Sequence, residues 1–319
     1  MAFAGEILAL SVAVLWTISS LASEEASRHY GSITLNIVRM AQAVLFIGLT
    51  LWVTTGNPMP IGTTTGVWGW LALSALTGYI IGDYFFLRCF MLIGARWGEL
   101  FMTIAPVAAA LTGWMLLGER MGGLAILGML ITTAGIAMSV LSKPEGEGKI
   151  KIKLPLKGVV YGIIAGVGQG VGLVFSKQGM LLYQDQLAEQ VQHLTAFDSF
   201  YMSFASTMIR CLVALAGFMM MYAYQRYRNE KGCFVLSNIF NNKRIFWLAT
   251  LSTITGPFIG VALSLAASLY TSTGITQTIM SLVPVIILYP SHLIFKTRIT
   301  FLEVIGAIIS VFGVALFFL

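Results

Sequence analysis

The chain has 319 residues, of which 57% are hydrophobic and 10% charged, with a formal net charge of +6. Soluble domains carry about 25% charged residues, so a soluble fold is excluded. The basic excess sits in short loops between apolar runs, which argues against nucleic acid as a partner and for orientation in a bilayer. Cys89, Cys211 and Cys233 make no CxxC pair, so neither a disulfide framework nor a zinc site is expected, and no cofactor is.

Apolar runs of about 18 or more residues read as bilayer spans, and segments this apolar can satisfy their backbone only as helices. The expected fold is therefore an all-α membrane protein of ten transmembrane helices, near 5–25, 32–54, 66–92, 97–117, 122–141, 158–180, 199–224, 245–269, 273–295 and 300–318. The first run contains Glu6 and follows no basic segment, so it reads as a retained helix rather than a signal peptide. An even number of spans puts both termini on one side. Arg28, Arg96, Lys143, Lys149, Lys151, Lys153, Lys157, Arg226, Arg228, Lys231, Lys243, Arg244, Lys296 and Arg298 all fall on the other side, which their charge assigns to the cytoplasm.

The chain repeats itself. Gly78–Leu141 aligns without a gap on Gly256–Leu319 at a shift of 178, placing Gly78 on Gly256, Gly82 on Gly260, Pro106 on Pro284, Gly128 on Gly306 and Gly135 on Gly313. The starts of the halves match less strictly, with Arg39 resembling Arg210 and Gly5 set against Gly158. Residues 1–141 and 158–319 thus form two five-helix repeats, joined by a basic linker at 142–157. Five spans is an odd number, so the second half enters the membrane upside down. Such a 5+5 inverted-topology repeat can rock around a site at the interface of its halves. Pro106 and Pro284 predict helix breaks at matched positions, which point to a transport site. Gly158, Gly162, Gly166 and Gly170 form a smooth helix ridge for close packing. Gly128, Gly135, Gly306 and Gly313 could pair the fifth and tenth spans within one chain or between chains.

Three stretches carry a resemblance to a known family: Gly82-Asp-Tyr-Phe-Phe-Leu-Arg with Leu92-Ile-Gly-Ala-Arg; Pro106 through Leu117-Gly-Glu-Arg120; and Gly256-Pro-Phe-Ile-Gly through Ser281-Leu-Val-Pro and Phe295-Lys-Thr-Arg-Ile-Thr. They are similar to the ten-helix, EamA-type branch of the drug/metabolite transporter superfamily. The resemblance implies a central cavity lined by helices one, three, four, six, eight and nine, and movement of metabolites such as amino acids, often outward. In relatives both termini are usually drawn in the cytoplasm, the opposite of the charge-based orientation. Thr297 stands where an acidic residue matching Glu119 is common in the family.

Ionisable groups inside spans are costly unless paired or hydrated, so each is a functional candidate. Asp83 lies deep in the third span and its repeat partner is Val261, so the scaffold does not require an acid there. It could bind a cationic group or carry a proton; the alternative is an ion pair with Arg39, Arg88 or Arg210. Tyr79, one turn earlier, shares its face. Glu99 and its partner Gln277 could face the cavity mouth, or be solvated helix ends. Trp16 corresponds to Gln169, an aromatic platform opposite an amide, and Pro257 lies in the eighth span between Gly256 and Gly260. Arg39 and Arg210 suit a gating or structural charge. Lys177 would snorkel to the membrane surface, and His292 reads as a packing residue or a group titrating near neutral pH.

No GxxxxGK[ST] loop, HExxH or GxSxG occurs, so neither ATP drive nor enzyme chemistry is expected. The expectation is a secondary transporter of a small metabolite, an exporter or proton-coupled carrier, set against an intramembrane lipid-modifying enzyme or a non-transporting scaffold. Its partners would be a small solute, protons and lipid, in a bacterial plasma membrane, as monomer or homodimer.

Overall fold

The computed structural model describes residues 3–141, 155–190, 196–228, 236–287, 290 and 301–318, and their regular structure is helical throughout. In chain order the helices are α1 (Ala4–Tyr30), α2 (Ser32–Thr55), α3 (Thr65–Ala95), α4 (Trp97–Leu117), α5 (Gly123–Leu141), α6 (Leu156–Gln190), α7 (Ala196–Tyr227), α8 (Lys243–Tyr270), α9 (Thr273–Ile286) and α10 (Phe301–Ala315). Among the described residues seven of these are long and apolar enough to cross a bilayer, and α5, α9 and α10 are shorter apolar helices. Large side chains such as Val53, Met115 and Phe301 are about three-quarters exposed. An outer surface of this kind fits lipid and not water, and the chain is a multi-pass membrane protein.

Glycine makes two of the sharp reversals. Gly31 (φ +75°) separates α1 from α2, and Gly94 (φ +82°, ψ 164°) bends the chain between α3 and α4. Both values lie where a Cβ is strained. Around these corners α6 occupies a groove between α3 and α4. A Cβ at Gly166 or Gly170 would meet the carbonyl oxygens of Phe101 or Ala105 at 2.4 and 2.3 Å, and one at Gly172 would meet the Cα of Gly78 at 2.9 Å. The glycine ridge therefore brings backbone onto backbone, with one face on α4 and the next on α3.

Helix α5 packs on α10 by the same means, within the one chain. A Cβ at Gly128 would lie 2.7 Å from the oxygen of Gly313, and one at Gly135 would lie 2.7 Å from the oxygen of Gly306 and 2.6 Å from the nitrogen of Ser310. Thr132 Oγ1 donates to Ser310 O between them (3.4 Å). Gly135→Leu should therefore force the helices apart and cost about 1–3 kcal/mol, read as a lowered melting temperature of the purified protein. Gly69→Ala, at a position open to space, is the control expected to leave it unchanged.

The prolines do not kink continuous helices, as their mid-span positions suggest. Pro106 and Pro284 each stand in the first turn of a restarted helical segment. The break comes just before, at the 3₁₀ turn Met102–Ile104 and at the turn Ser281–Leu282. In a first turn proline's missing N–H has no partner to lose, and its φ is preset for the helix.

Candidate functional site

Two further interruptions shape the centre of the bundle. Helix α3 widens into a π-helical stretch at Ala75–Asp83, and α8 does so at Ile254–Phe258. At the repeat shift of 178, residues 254–258 correspond to 76–80, so the two stretches coincide. In α8 the cause is local: Pro257 lies inside the stretch and cannot donate to the helical ladder. In α3 the Gly78 carbonyl instead accepts from the Gln169 side chain of α6 (3.1 Å). Departures of this sort from α-helical pitch are frequent at functional sites.

Between the two stretches lies a cavity of about 70 Å³, walled by α1, α2, α3, α4, α6, α8 and α9. Trp16, Tyr79, Asp83, Glu99, Gln169, Pro257 and Gln277 all line it, and Arg39 joins them from α2. Asp83 is 6% exposed and fully engaged: Arg39 Nη1 donates to Oδ2 (3.4 Å) and Gln169 Nε2 to Oδ1 (2.6 Å). Of the two readings of this acid, the geometry is that of an ion pair with Arg39. Arg39 also donates to Asn36 Oδ1 (3.3 Å), while its Nε has no acceptor among the described residues. Arg210, 4% exposed, stacks over the Tyr79 ring at 4.5 Å and stands behind the cavity wall. Arg88 is not brought to Asp83; its guanidinium lies 5.3 Å from the Tyr84 ring.

Glu99 and Gln277 are each 3% exposed, so they are not solvated helix ends. Glu99 accepts a hydrogen bond from Ser20 Oγ. Ser19, Ser20, Ser23 and Ser281 complete the polar part of the wall. None of these serines stood out in the sequence, although Thr17, Ser19, Ser20 and Ser23 make a small-polar stripe in an otherwise apolar span.

A second polar cluster ties loops together. Glu119 accepts from Lys177 Nζ (2.6 Å), Thr273 Oγ1 (2.6 Å) and Thr273 N (2.9 Å), and Lys177 also donates to Thr271 O (2.9 Å). Lys177 does not snorkel to lipid headgroups: its ammonium is held by the partly buried Glu119 carboxylate and the Thr271 carbonyl. The start of α1 reaches this end too, where a Cβ on Gly5 would lie 2.9 Å from Thr271. His292, Thr297, Arg298 and Cys233 lie outside the described residues. Among the described residues no group of three His, Cys, Asp or Glu side chains could hold a metal ion.

The contacts around the cavity come in reciprocal pairs. Ser23 Oγ meets Ser252 Oγ at 2.6 Å, and Ser176 Oγ meets Ser74 Oγ at 2.6 Å. Arg39 lies against Gly256 and Arg210 against Gly78; Trp16 lies against Gly260 and Gln169 against Gly82.

A family model described as the EamA-like transporter family matches residues 3–141 and 192–319. Twenty-eight chains of solved structures match. One, a crystal structure of a protein 15% identical in sequence, superposes with a TM-score of 0.67 over 99% of this chain and 96% of its own, a likeness of fold. No curated protein matches in sequence.

Proposed function

The chain belongs to the EamA-like transporter family, and from that membership we propose that it is a secondary transporter that moves a small metabolite across the membrane by alternating access. The proposed architecture is ten transmembrane helices in a 5+5 inverted repeat, with halves at 1–141 and 158–319. The proposed setting is a bacterial plasma membrane, with export as the working direction and a proton gradient as the drive.

The observation that carries this reading is the reciprocity of the contacts. Ser252 stands 178 residues after Ser74, and Ser176 stands 153 after Ser23. The pairs Ser23–Ser252 and Ser176–Ser74 are thus one contact made twice, each time between halves. Arg39 on Gly256 and Arg210 on Gly78 repeat the pattern. A surface that meets its own equivalent in this way implies a two-fold relation. On α5 and α10 the partners run in opposite order, Gly128 with Gly313 and Gly135 with Gly306, as two antiparallel helices related by a two-fold axis must. The cavity, with polar side chains in a mainly apolar wall, lies between the proposed halves, where a transporter of this design binds its solute.

The cavity chemistry favours an amino acid or a similar zwitterion. Arg39 and Glu99 both line the cavity, Arg39 with a buried Nε that has no acceptor among the described residues and Glu99 with a carboxylate among serines. A cation and an anion in one lining complement a carboxylate and an ammonium group. The cavity's 70 Å³ holds a few waters, so the halves must part to admit such a solute.

The test is a thermal-shift screen of amino acids, nucleosides and cationic dyes on purified protein. Counterflow of the stabilising solute in proteoliposomes follows. Saturable counterflow is expected. Flux that rises linearly with concentration, or no stabilising solute at all, would reject a carrier.

A further inference from the structure

Two acids line the cavity, and their surroundings are opposite. Asp83 is held by the Arg39 guanidinium and the Gln169 amide, with Arg210 behind Tyr79 adding a second positive charge nearby. Glu99 is buried as deeply, yet among the described residues no Lys, Arg or His stands within ion-pair distance of it. Its hydrogen-bond partner among the described residues is the neutral hydroxyl of Ser20. An unpaired carboxylate in the membrane interior costs several kcal/mol unless its charge is removed. The groups facing it from neighbouring elements do not remove it. Helix α1 brings Ser20 and, one turn on, Glu24, which is held by Arg28 at 3.0 Å. Helix α3 brings the buried Cys89 thiol and Asp83, and α2 brings Arg39, already committed to Asp83. Helices α6 and α9 bring the neutral Gln169 and Gln277.

Resting on the transporter reading above, we propose that Glu99 is the proton-binding site of this cavity, and that Asp83 stays ionised in its pair with Arg39. The proton enters from water in the cavity and binds a Glu99 carboxylate oxygen, changing the net charge of the lining from −1 to 0 (Arg39, Asp83 and Glu99 being its charged side chains). The coupling proton and the structural ion pair then belong to different residues. The repeat agrees: position 99 has a neutral amide, Gln277, as its counterpart, so the fold needs a hydrogen-bonding side chain there but no acid.

Infrared difference spectroscopy of the full chain in phosphatidylethanolamine–phosphatidylglycerol nanodiscs tests this without any solute. A carboxyl C=O band that comes and goes with pH is expected. It should vanish in Glu99→Gln, persist at a shifted frequency in Glu99→Asp, and change its pH midpoint in Ser20→Ala. The proposal is overturned if the band survives Glu99→Gln unchanged, if no carboxyl band titrates, or if its midpoint follows sodium at fixed ionic strength, which would make Glu99 a metal-cation site. Because no flux is measured, such a failure leaves the transporter reading standing, and absent counterflow leaves the titration standing.

Discussion

Asp83→Ala should abolish solute counterflow and destabilise the purified protein by about 3–5 kcal/mol, the usual cost of removing one partner from a buried ion pair. Arg39 is 7% exposed and Arg210 4%, and among the described residues Asp83 is the carboxylate within ion-pair distance of Arg39. Without it two guanidiniums would face the cavity wall with no anion between them, and the Gln169 amide would lose an acceptor. Asp83→Asn is the milder arm, keeping an acceptor for Gln169 but not the charge. The double variant Asp83→Ala/Arg39→Met should recover much of the stability, because both charges leave together, while transport stays lost. The measurement is a double-mutant cycle on denaturation midpoints, with counterflow assayed on each variant. Near-additive single costs would show that the pair does not hold α2 to α3.

Much of this centre was legible in the chain, for a physical reason. Glycine, proline and buried charge are costly in a membrane helix, so their recurrence in register is informative where Leu and Ile are not. The match of Gly78 and Gly82 with Gly256 and Gly260 marked the two stretches that widen into π-turns, and acids and amides inside apolar runs marked the wall. What the sequence could not tell was the partnering. Asp83 could have paired with Arg39 or Arg210 of other spans or with Arg88 of its own. The fold makes the choice: Asp83, at the end of the π-helical stretch, meets Arg39 of α2, while Arg88 of α3 lies against Tyr84. Ser20 was hidden because serine is common in packed helices, and only the fold places its hydroxyl on Glu99. Lys177 read as a helix-end lysine because its partner, Glu119, is 58 residues away in a loop.

That loop contact sets the second large effect. Lys177→Met is expected to destabilise the protein by about 3 kcal/mol, the low end for a buried pair, because the two side chains retain 12% and 14% exposure. Glu119 would keep only the two donors of Thr273, and Thr271 O would lose its donor. Thr273→Val, which removes one neutral-to-charged hydrogen bond and leaves the ion pair, should cost about 1.5–3 kcal/mol. Lys177→Met/Glu119→Gln should be more stable than Lys177→Met alone, since the orphaned charge is gone. The cluster joins the α4–α5 loop, α6 and the α8–α9 connection, so any opening that parts these elements at this end must break the three bonds to Glu119. Bimane fluorescence from a cysteine placed at Gly122, where nothing lies within 4 Å of a Cβ, should therefore become more quenchable by iodide in Lys177→Met than in the parent protein. Equal quenching with intact stability would mean that the ion pair fastens nothing that moves.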